Sequence, residues 1–276
     1  MYLVFDIGKT KMRMATYSAE EGLGKEYIGQ VAEDFYDFLE EFKSTAGRCA
    51  GGKIERAVGG IGMPLNKEKS ETVGVRWVGK PVREKLEEIL GVPVHLENDG
   101  AMVGLGEAVD GAGAGFSVVA YITVSTGVGG ARIAGGAVDE RSVGFEPGHQ
   151  IIDPDKTLCL ECAGNTLEEY VSGSAVEKRF GKPPYEIAQD DPLWDELAKW
   201  LAYGLNNAIV HWRPDVVVLG GSMIVGDPAI LVEDVEKHLK NTLTVFPEIP
   251  PLKKAELGDI GGLHGAVEYI KQMEKK

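Results

Sequence analysis

Six stretches of this 276-residue chain combine residue types that can do chemistry. The first is Asp6-Ile7-Gly8-Lys9-Thr10-Lys11, an acid followed by a glycine turn. Backbone N–H groups and the Thr10 hydroxyl suit phosphate oxygens. A carboxylate cannot face polyphosphate bare, so Asp6 implies Mg2+ between them. The plainer reading is a β-hairpin with an acid at its tip. The second stretch, Ser125-Thr126-Gly127-Val128-Gly129-Gly130, also joins two apolar runs. A hairpin turn needs one or two glycines. Three glycines with two hydroxyls favour backbone approach to an anion, and two such turns in one chain suggest a phosphate clamp.

Glu97-Asn98-Asp99-Gly100-Ala101 stands at a strand-to-helix junction. Asn98 or Asp99 suffices as the helix cap. Three polar groups in a row exceed that need, and a carboxylate at the C-terminal end of a strand can take a proton from a substrate hydroxyl. In Gly144-Phe145-Glu146-Pro147-Gly148-His149, the Pro-Gly pair argues against a helix and for a rigid turn. A carboxylate accepts from two hydroxyls and imidazole adds a polar contact, which suits a sugar ring. A solvated turn is the alternative.

Cys159-Leu160-Glu161-Cys162 follows His149 by ten residues, so His149, Cys159 and Cys162 are candidate Zn2+ ligands. A structural zinc needs four ligands, and the remaining cysteine, Cys49, is distant in sequence. Free, partly buried thiols are the alternative. Finally, Gly220-Gly221-Ser222 directly follows an apolar strand. Bare glycines there let a base and ribose lie on the backbone, although a simple βα turn reads the same way.

These residues need elements to position them. Met1–Phe5 reads as a strand and Lys11–Tyr17 as its antiparallel partner. Val31, Phe35, Phe38, Leu39 and Phe42 fall at helical spacing. Lys53–Gly62 reads as a strand ending in the turn GGIGMP. Pro81 opens a helix that Gly91 closes. Val92–Leu96 is a short strand. Val118–Thr123 and Gly130–Ala134 form a strand pair, and Leu193, Leu197, Leu201 and Leu205 step along a helix to Trp212. Pro214 stops it, and Asp215–Leu219 is a buried strand. Helices from Ile230 to Leu243 and from Leu263 to Met273 complete the chain. The unit of hairpin followed by alternating helices and strands occurs twice, from Tyr2 and from near Phe116. This predicts two related α/β lobes with a cleft between them, joined at Asp110–Gly115.

Composition sets limits. The chain is 43% hydrophobic and 26% charged, enough for a sizeable core. Its 37 glycines are nearly twice the usual share of about 7%. The net charge of −14 argues against a nucleic-acid binder and against an anionic membrane surface. Three cysteines are too few for a disulfide framework, so a reducing compartment is expected. The start, MYLVFDIGKT, does not read as a signal peptide. The longest apolar run, Phe116–Val124, is about half a membrane span. A soluble cytoplasmic protein is expected.

In this order the stretches resemble the ROK family (repressor, open reading frame, kinase) of the actin-like ATPase superfamily, over nearly the whole chain. DIGKTK resembles its DxGxTK phosphate loop, STGVGG its second phosphate loop, GFEPGH its GExGH sugar motif and VVLGGS its adenosine motif. The run from Trp77 through Pro81, Gly91-Val92-Pro93-Val94 and Glu97-Asn98-Asp99 to Leu105-Gly106-Glu107 resembles its most recognisable block, and LEEYVSG the stretch after its cysteines. The resemblance implies a two-lobed actin-like (ribonuclease H-like) ATPase fold with an interlobe cleft. Residues 1–109, joined by the helix 262–276, would form the N-terminal lobe, and 110–261 the C-terminal lobe. It implies an ATP-dependent kinase that phosphorylates a hydroxyl of a hexose or N-acetylhexosamine, glucokinase-like. Carried over by match, Asp99 is the catalytic base, and Asn98, Glu146, His149 and Glu168 hold sugar hydroxyls alongside it. Asp6 supports Mg2+, Gly8, Lys9, Thr10, Lys11, Thr126 and Gly127 face phosphates, and Gly220 and Gly221 face the nucleotide.

The chain departs from the family pattern at three places. Lys9 replaces a glycine; Asn165-Thr166 stand where zinc-bearing members have Gly and Cys; Phe145 and Pro147 alter the sugar motif. A non-catalytic sugar- or nucleotide-binding protein and a sugar-responsive regulator are the alternatives. The family's regulators carry an N-terminal helix-turn-helix, whereas this chain starts at the phosphate-loop strand. The sugar, the attacked hydroxyl, the zinc content and the oligomeric state stay open, dimers being common in the family.

Overall fold

The first apolar run forms β1 (Tyr2–Ile7), and β2 (Lys11–Ser18) returns beside it antiparallel, with Asp6 opposite Arg13. Side chains alternate across β1. Leu3, Phe5 and Ile7 enter one core with Phe38, Phe42 and Leu86, while Val4 enters a second with Met102, Leu263 and Ala266. Both faces are covered, which is why the strand reads as continuously apolar. Phe5, Phe38 and Phe42 are fully buried, and each such side chain contributes about 1.5–3 kcal/mol.

The structure is a computed structural model and describes every residue except 50, 64, 67–70, 73–75, 140–144 and 276. Pro64 of the GGIGMP turn and Gly144 of the GFEPGH stretch lie outside the described residues. After β2 come β3 (Gly22–Leu23), β4 (Tyr27–Gln30), α1 (Phe35–Cys49), β5 (Arg56–Ile61), β6 (Leu65–Asn66), β7 (Glu71–Thr72), α2 (Val82–Leu90), β8 (Val94–Asn98) and α3 (Asp99–Val109). Then follow β9 (Val118–Val124), β10 (Val128–Ala134), β11 (Ala137–Val138), α4 (Leu167–Val171), α5 (Gly173–Phe180), α6 (Leu193–Trp212), β12 (Val216–Gly220), α7 (Ser222–Val225), α8 (Val232–Thr242), β13 (Leu252–Lys254) and α9 (Gly261–Glu274).

Val31 shares the core face of α1 but precedes the helix, its N–H donating to the Thr10 carbonyl at 2.9 Å. The helix starts later because Asp34 Oδ1 accepts from the N–H groups of Tyr36 and Asp37, an N-cap. Gly91 ends α2 at φ 68°, a left-handed conformation that glycine adopts without a Cβ penalty.

The chain divides into two compact units. One comprises Met1–Val109, Ala137–Gly144 and Asp259–Lys276; the other comprises Asp110–Gly136 and Phe145–Gly258. The first sheet has the order β3-β2-β1-β5-β8, with β4 also on β2, and the second β11-β10-β9-β12-β13. Each sheet has an antiparallel hairpin beside parallel strands. The internal echo in the sequence is therefore a shared topology. In the second unit, Ala120, Ile122 and Val124 of β9 pack with Tyr170 of α4, Leu197 and Leu201 of α6 and Leu239 of α8. No helix among the described residues is long and apolar enough to cross a membrane.

Candidate active site

In the first unit, β1, β5 and β8 run parallel, and their register places Asp6, Gly60 and Glu97 in one row near the strands' C-terminal ends. Asp99 follows as the first residue of α3. The approach of the two aspartates depends on bare backbone. A Cβ at Gly60 would lie 3.0 Å from Asp99 Cα and 3.2 Å from Asp6 Oδ1, and one at Gly62 would lie 2.8 Å from Asp99 Oδ2.

Burial pushes the Asp6 carboxyl up to about 7, helped by the charges of Asp99 and Asp259 and opposed by Arg13. Burial also raises the pKa of Asp99, against the N–H of Gly100, which donates to its Oδ1 at 2.7 Å. Asn98 caps α3, its Oδ1 accepting from Ala101 N–H at 3.1 Å. The cap and the candidate base are thus separate, adjacent residues.

The turn after β1 closes through Gly8 N–H to the Lys11 carbonyl at 3.0 Å, which leaves the side chains of Lys9, Thr10 and Lys11 exposed. The far end of the chain completes this region. A Cβ at Gly262 would lie 2.6 Å from Asp6 Cγ, so the start of α9 rests on the carboxylate. That seat requires α9 to press closely on α3: a Cβ at Gly265 would lie 1.7 Å from the Met102 carbonyl oxygen, and one at Gly106 2.5 Å from that of Gly261. The sequence reading placed Gly60 and Gly62 in the GGIGMP turn without this role, and missed Gly262 and Gly265. The signal was the spacing GGxxG at the start of the last helix.

In the second unit, Ser125-Thr126-Gly127 joins β9 to β10 with Thr126 exposed. Gly173 N–H donates to the Ser125 carbonyl at 2.7 Å and Ser174 N–H to the Thr126 carbonyl at 3.3 Å. Ser125 Oγ lies 3.1 Å from Ser222 Oγ, directly after Gly220-Gly221. Gly221 has φ 85°, and a Cβ there would meet the Val124 carbonyl oxygen at 2.3 Å. The sequence-predicted second phosphate turn and the glycines expected to face the nucleotide are therefore neighbours through Ser125 and Ser222, while the N-terminus of α5 holds the turn by its carbonyls.

Glu168 of α4 lies beside this turn. Its Oε2 accepts from Val128 N–H at 2.8 Å, and a Cβ at Gly127 would meet it at 2.6 Å. Pro147–His149 forms one 3-10 turn, where the sequence argued against any helix. A single turn needs no longer run, and proline at its start is compatible with it. Gly148 packs on the carbonyl of the same Val128, so His149 and Glu168 belong to segments meeting at one residue. The side chains of Glu146 and His149 are exposed. Gln150, missed in the sequence, ties the segments together: its Nε2 donates to the Pro147 carbonyl, its carbonyl accepts from Leu167 N–H, and its Oε1 accepts from Asn207.

The cysteines correct the sequence reading. Cys159 and Cys162 form a disulfide, and only Cys49 is free. The expected free thiols at 159 and 162 are absent, and cysteine number no longer supports a reducing compartment. Zinc binds thiolate or imidazole, and a disulfide supplies neither. Among the described residues no group of three or more His, Cys, Asp and Glu is placed to hold a metal. His149, Cys159 and Cys162 therefore do not fit zinc. The loop is organised by buried Asp153, which accepts from the N–H groups of Thr157 and Leu158 and from Tyr170 Oη at 2.6 Å. Burial raises its pKa, but these donors outweigh it and hold the carboxyl down at about 2.

The carboxylates of the first unit do fit a hard divalent cation. Asp6 Oδ1 is closed from solvent and receives no hydrogen bond among the described residues. Mg2+ needs only one or two carboxylates, with water and phosphate oxygens filling its shell.

The sequence pattern of the ROK family matches residues 2–273. An N-acetyl-D-glucosamine kinase from Histophilus somni is 30% identical over 301 aligned residues, covering 96% of this chain and 97% of that protein. An N-acetyl-D-glucosamine kinase from Haemophilus influenzae is 28% identical over 302, covering 96% and 98%. A ROK hexokinase from Thermus thermophilus superposes with a TM-score of 0.79 at 28% identity, covering 99% of each chain. The α/β fold is the actin-like one expected from the sequence. With a match spanning all but the ends, the chain belongs to the ROK family.

Proposed function

We propose that this chain is an ATP-dependent sugar kinase that transfers the terminal phosphoryl group of ATP to a hydroxyl of a hexose or N-acetylhexosamine. The observation that carries the reading is Asp99, held at the start of α3 opposite Asp6 with a raised carboxyl pKa. A carboxylate with a raised pKa is a better proton acceptor near neutrality. Phosphoryl transfer passes through a loose transition state, so the base needs to orient the hydroxyl and accept its proton late. Asp99 fills that role. Asn98, Glu146, His149 and Glu168 hold sugar hydroxyls. The backbone of Gly8–Thr10 and of Thr126–Gly127 receives phosphate oxygens, and Gly220 and Gly221 face the nucleotide. Asp6 supports Mg2+, which when bound supplies charge neutralisation to the phosphates. The use of ATP, rather than the cysteines, is what supports a cytoplasmic setting.

The test is sugar-dependent ADP release with ATP and Mg2+ across N-acetylglucosamine, N-acetylmannosamine, glucose, fructose and allose. The relatives put N-acetylglucosamine first in that panel. Turnover well above background with at least one sugar supports the reading. A folded sample that releases no additional ADP with any of them overturns it.

A further inference from the structure

Arg76 belongs to none of the stretches singled out for chemistry, yet its side chain is only 15% exposed. It donates from Nη1 to the Lys9 carbonyl at 2.5 Å, and from Nη2 to the carbonyls of Val31 at 3.1 Å and Ala32 at 2.5 Å. Lys9 is the tip of the first phosphate turn. Val31 is already tied to that turn, its N–H donating to the Thr10 carbonyl. One guanidinium therefore joins the turn to the segment that leads into α1.

The arginine is itself held in place. Its guanidinium lies 5.0 Å from the centre of the Trp77 ring and pairs with Glu33 at 3.4 Å. Trp77 is buried, stacks on Phe38 at 4.3 Å and donates from Nε1 to the Glu33 carbonyl at 2.9 Å. Its φ of 52° is a left-handed conformation that a bulky residue adopts only when its surroundings enforce it. Its carbonyl accepts from the buried Thr72 hydroxyl. Packing thus fixes a strained backbone from which Arg76 reaches the turn.

We propose that Arg76 is the positioning residue of the first phosphate turn. By fixing the carbonyl of Lys9 it orients the peptide planes that present N–H groups to the ATP phosphates. Arginine suits this because its planar fork can serve several carbonyls at once, whereas an ammonium is a point donor on a flexible stem. The inference rests on the reading of Gly8–Thr10 as a phosphate turn, and the brace acts on the Lys9 backbone carbonyl, which the family's glycine would also offer.

The test uses the full chain with Arg76→Lys and Arg76→Met, which keep the aliphatic stem and lose the fork. In folded variants, the KM for ATP and the dissociation constant for MgADP, measured by calorimetry, rise tenfold or more. The KM for the sugar changes less than twofold, and Lys restores less than half of the loss in logarithmic terms. A merely structural arginine would lower the melting temperature and leave nucleotide affinity in the folded fraction unchanged, and that outcome overturns the proposal. If both variants fail to fold, hydrogen exchange on the unaltered chain decides. MgADP must protect the amides of 8–11 and 31–33 together, and protection confined to 8–11 rejects the brace. A chain that transfers no phosphate to any sugar refutes the kinase reading, while the nucleotide-binding comparison still judges Arg76.

Discussion

Asp6 and Asp99 approach one another across Gly60, where a single added methyl would lie 3.0 Å from the backbone of one and 3.2 Å from the carboxylate of the other. Both acids are thus withdrawn from water, which raises the pKa of each, and the charge of Asp99 raises that of Asp6 further.

Replacing the candidate base tests its role. Asp99→Asn keeps the shape and removes the proton acceptor. Turnover should fall by roughly 10²–10⁴-fold, with sugar affinity measured by calorimetry changed less than threefold. Near-normal turnover would assign the base elsewhere.

Acidity at Asp6 makes stability depend on pH. Its folded value is about 7 against 3.8 for the ordinary side chain. The folded state therefore holds the proton where the unfolded state has lost it, and stability drops as pH rises from about 4 through about 7. Asp6→Asn removes this dependence. Without divalent cations the variant should match the parent at pH 4 and exceed it by on the order of a few kcal/mol at pH 8, read from thermal melts. Added Mg2+ should narrow the gap by stabilising the parent. Parallel stability–pH curves would contradict the shift.

Close packing of α3 on α9 predicts intolerance to one methyl group. Gly265→Ala places a Cβ 1.7 Å from the Met102 carbonyl oxygen, so the helices must separate. Urea denaturation should show a loss of about 1–3 kcal/mol or more, and activity should fall further because Gly262 seats against Asp6. Gly47→Ala, in α1 with open space around its Cβ position, should instead gain about 0.5–1 kcal/mol.

The disulfide predicts a thiol count. Burial raises Cys49 to about 11, so the native, unreduced chain should react slowly with a thiol reagent. After denaturation one thiol should titrate without reductant and three with it. Elemental analysis should find no stoichiometric zinc, and chelator-treated enzyme should recover with Mg2+ alone. Three thiols without reductant would restore the reading of free cysteines.

Much of this was legible because it is local. The DIGKTK hairpin announced itself through an apolar run, a glycine turn and a second run, and α6 through leucines every fourth residue. Asp99 stood out because a cap needs one polar residue and three were present. The glycines beneath Asp6 and Asp99 were not legible in that way. A glycine's purpose lies in what a Cβ would touch, and for Gly262 that is a residue at the other end of the chain. Arg76 was missed for a related reason: its acceptors are carbonyls, which every residue carries. Val31 matched the helical period because it faces the same core, yet its N–H was already committed to Thr10. The oxidation state of Cys159 and Cys162 is not encoded in their spacing.

The seat of α9 on Asp6 has a consequence for biosynthesis. Apart from residues 137–144, the second unit spans an almost unbroken middle stretch of the chain, whereas the first needs residues from both before and after it. On the ribosome, the phosphate turn and Asp6 emerge early and wait through the synthesis of the whole second unit. Only when Gly262 and Gly265 leave the exit tunnel can α9 dock on α3. The first unit is therefore the last to mature, and a stalled or shortened product ending before residue 261 would carry a complete set of candidate catalytic side chains without the helix that seats against Asp6.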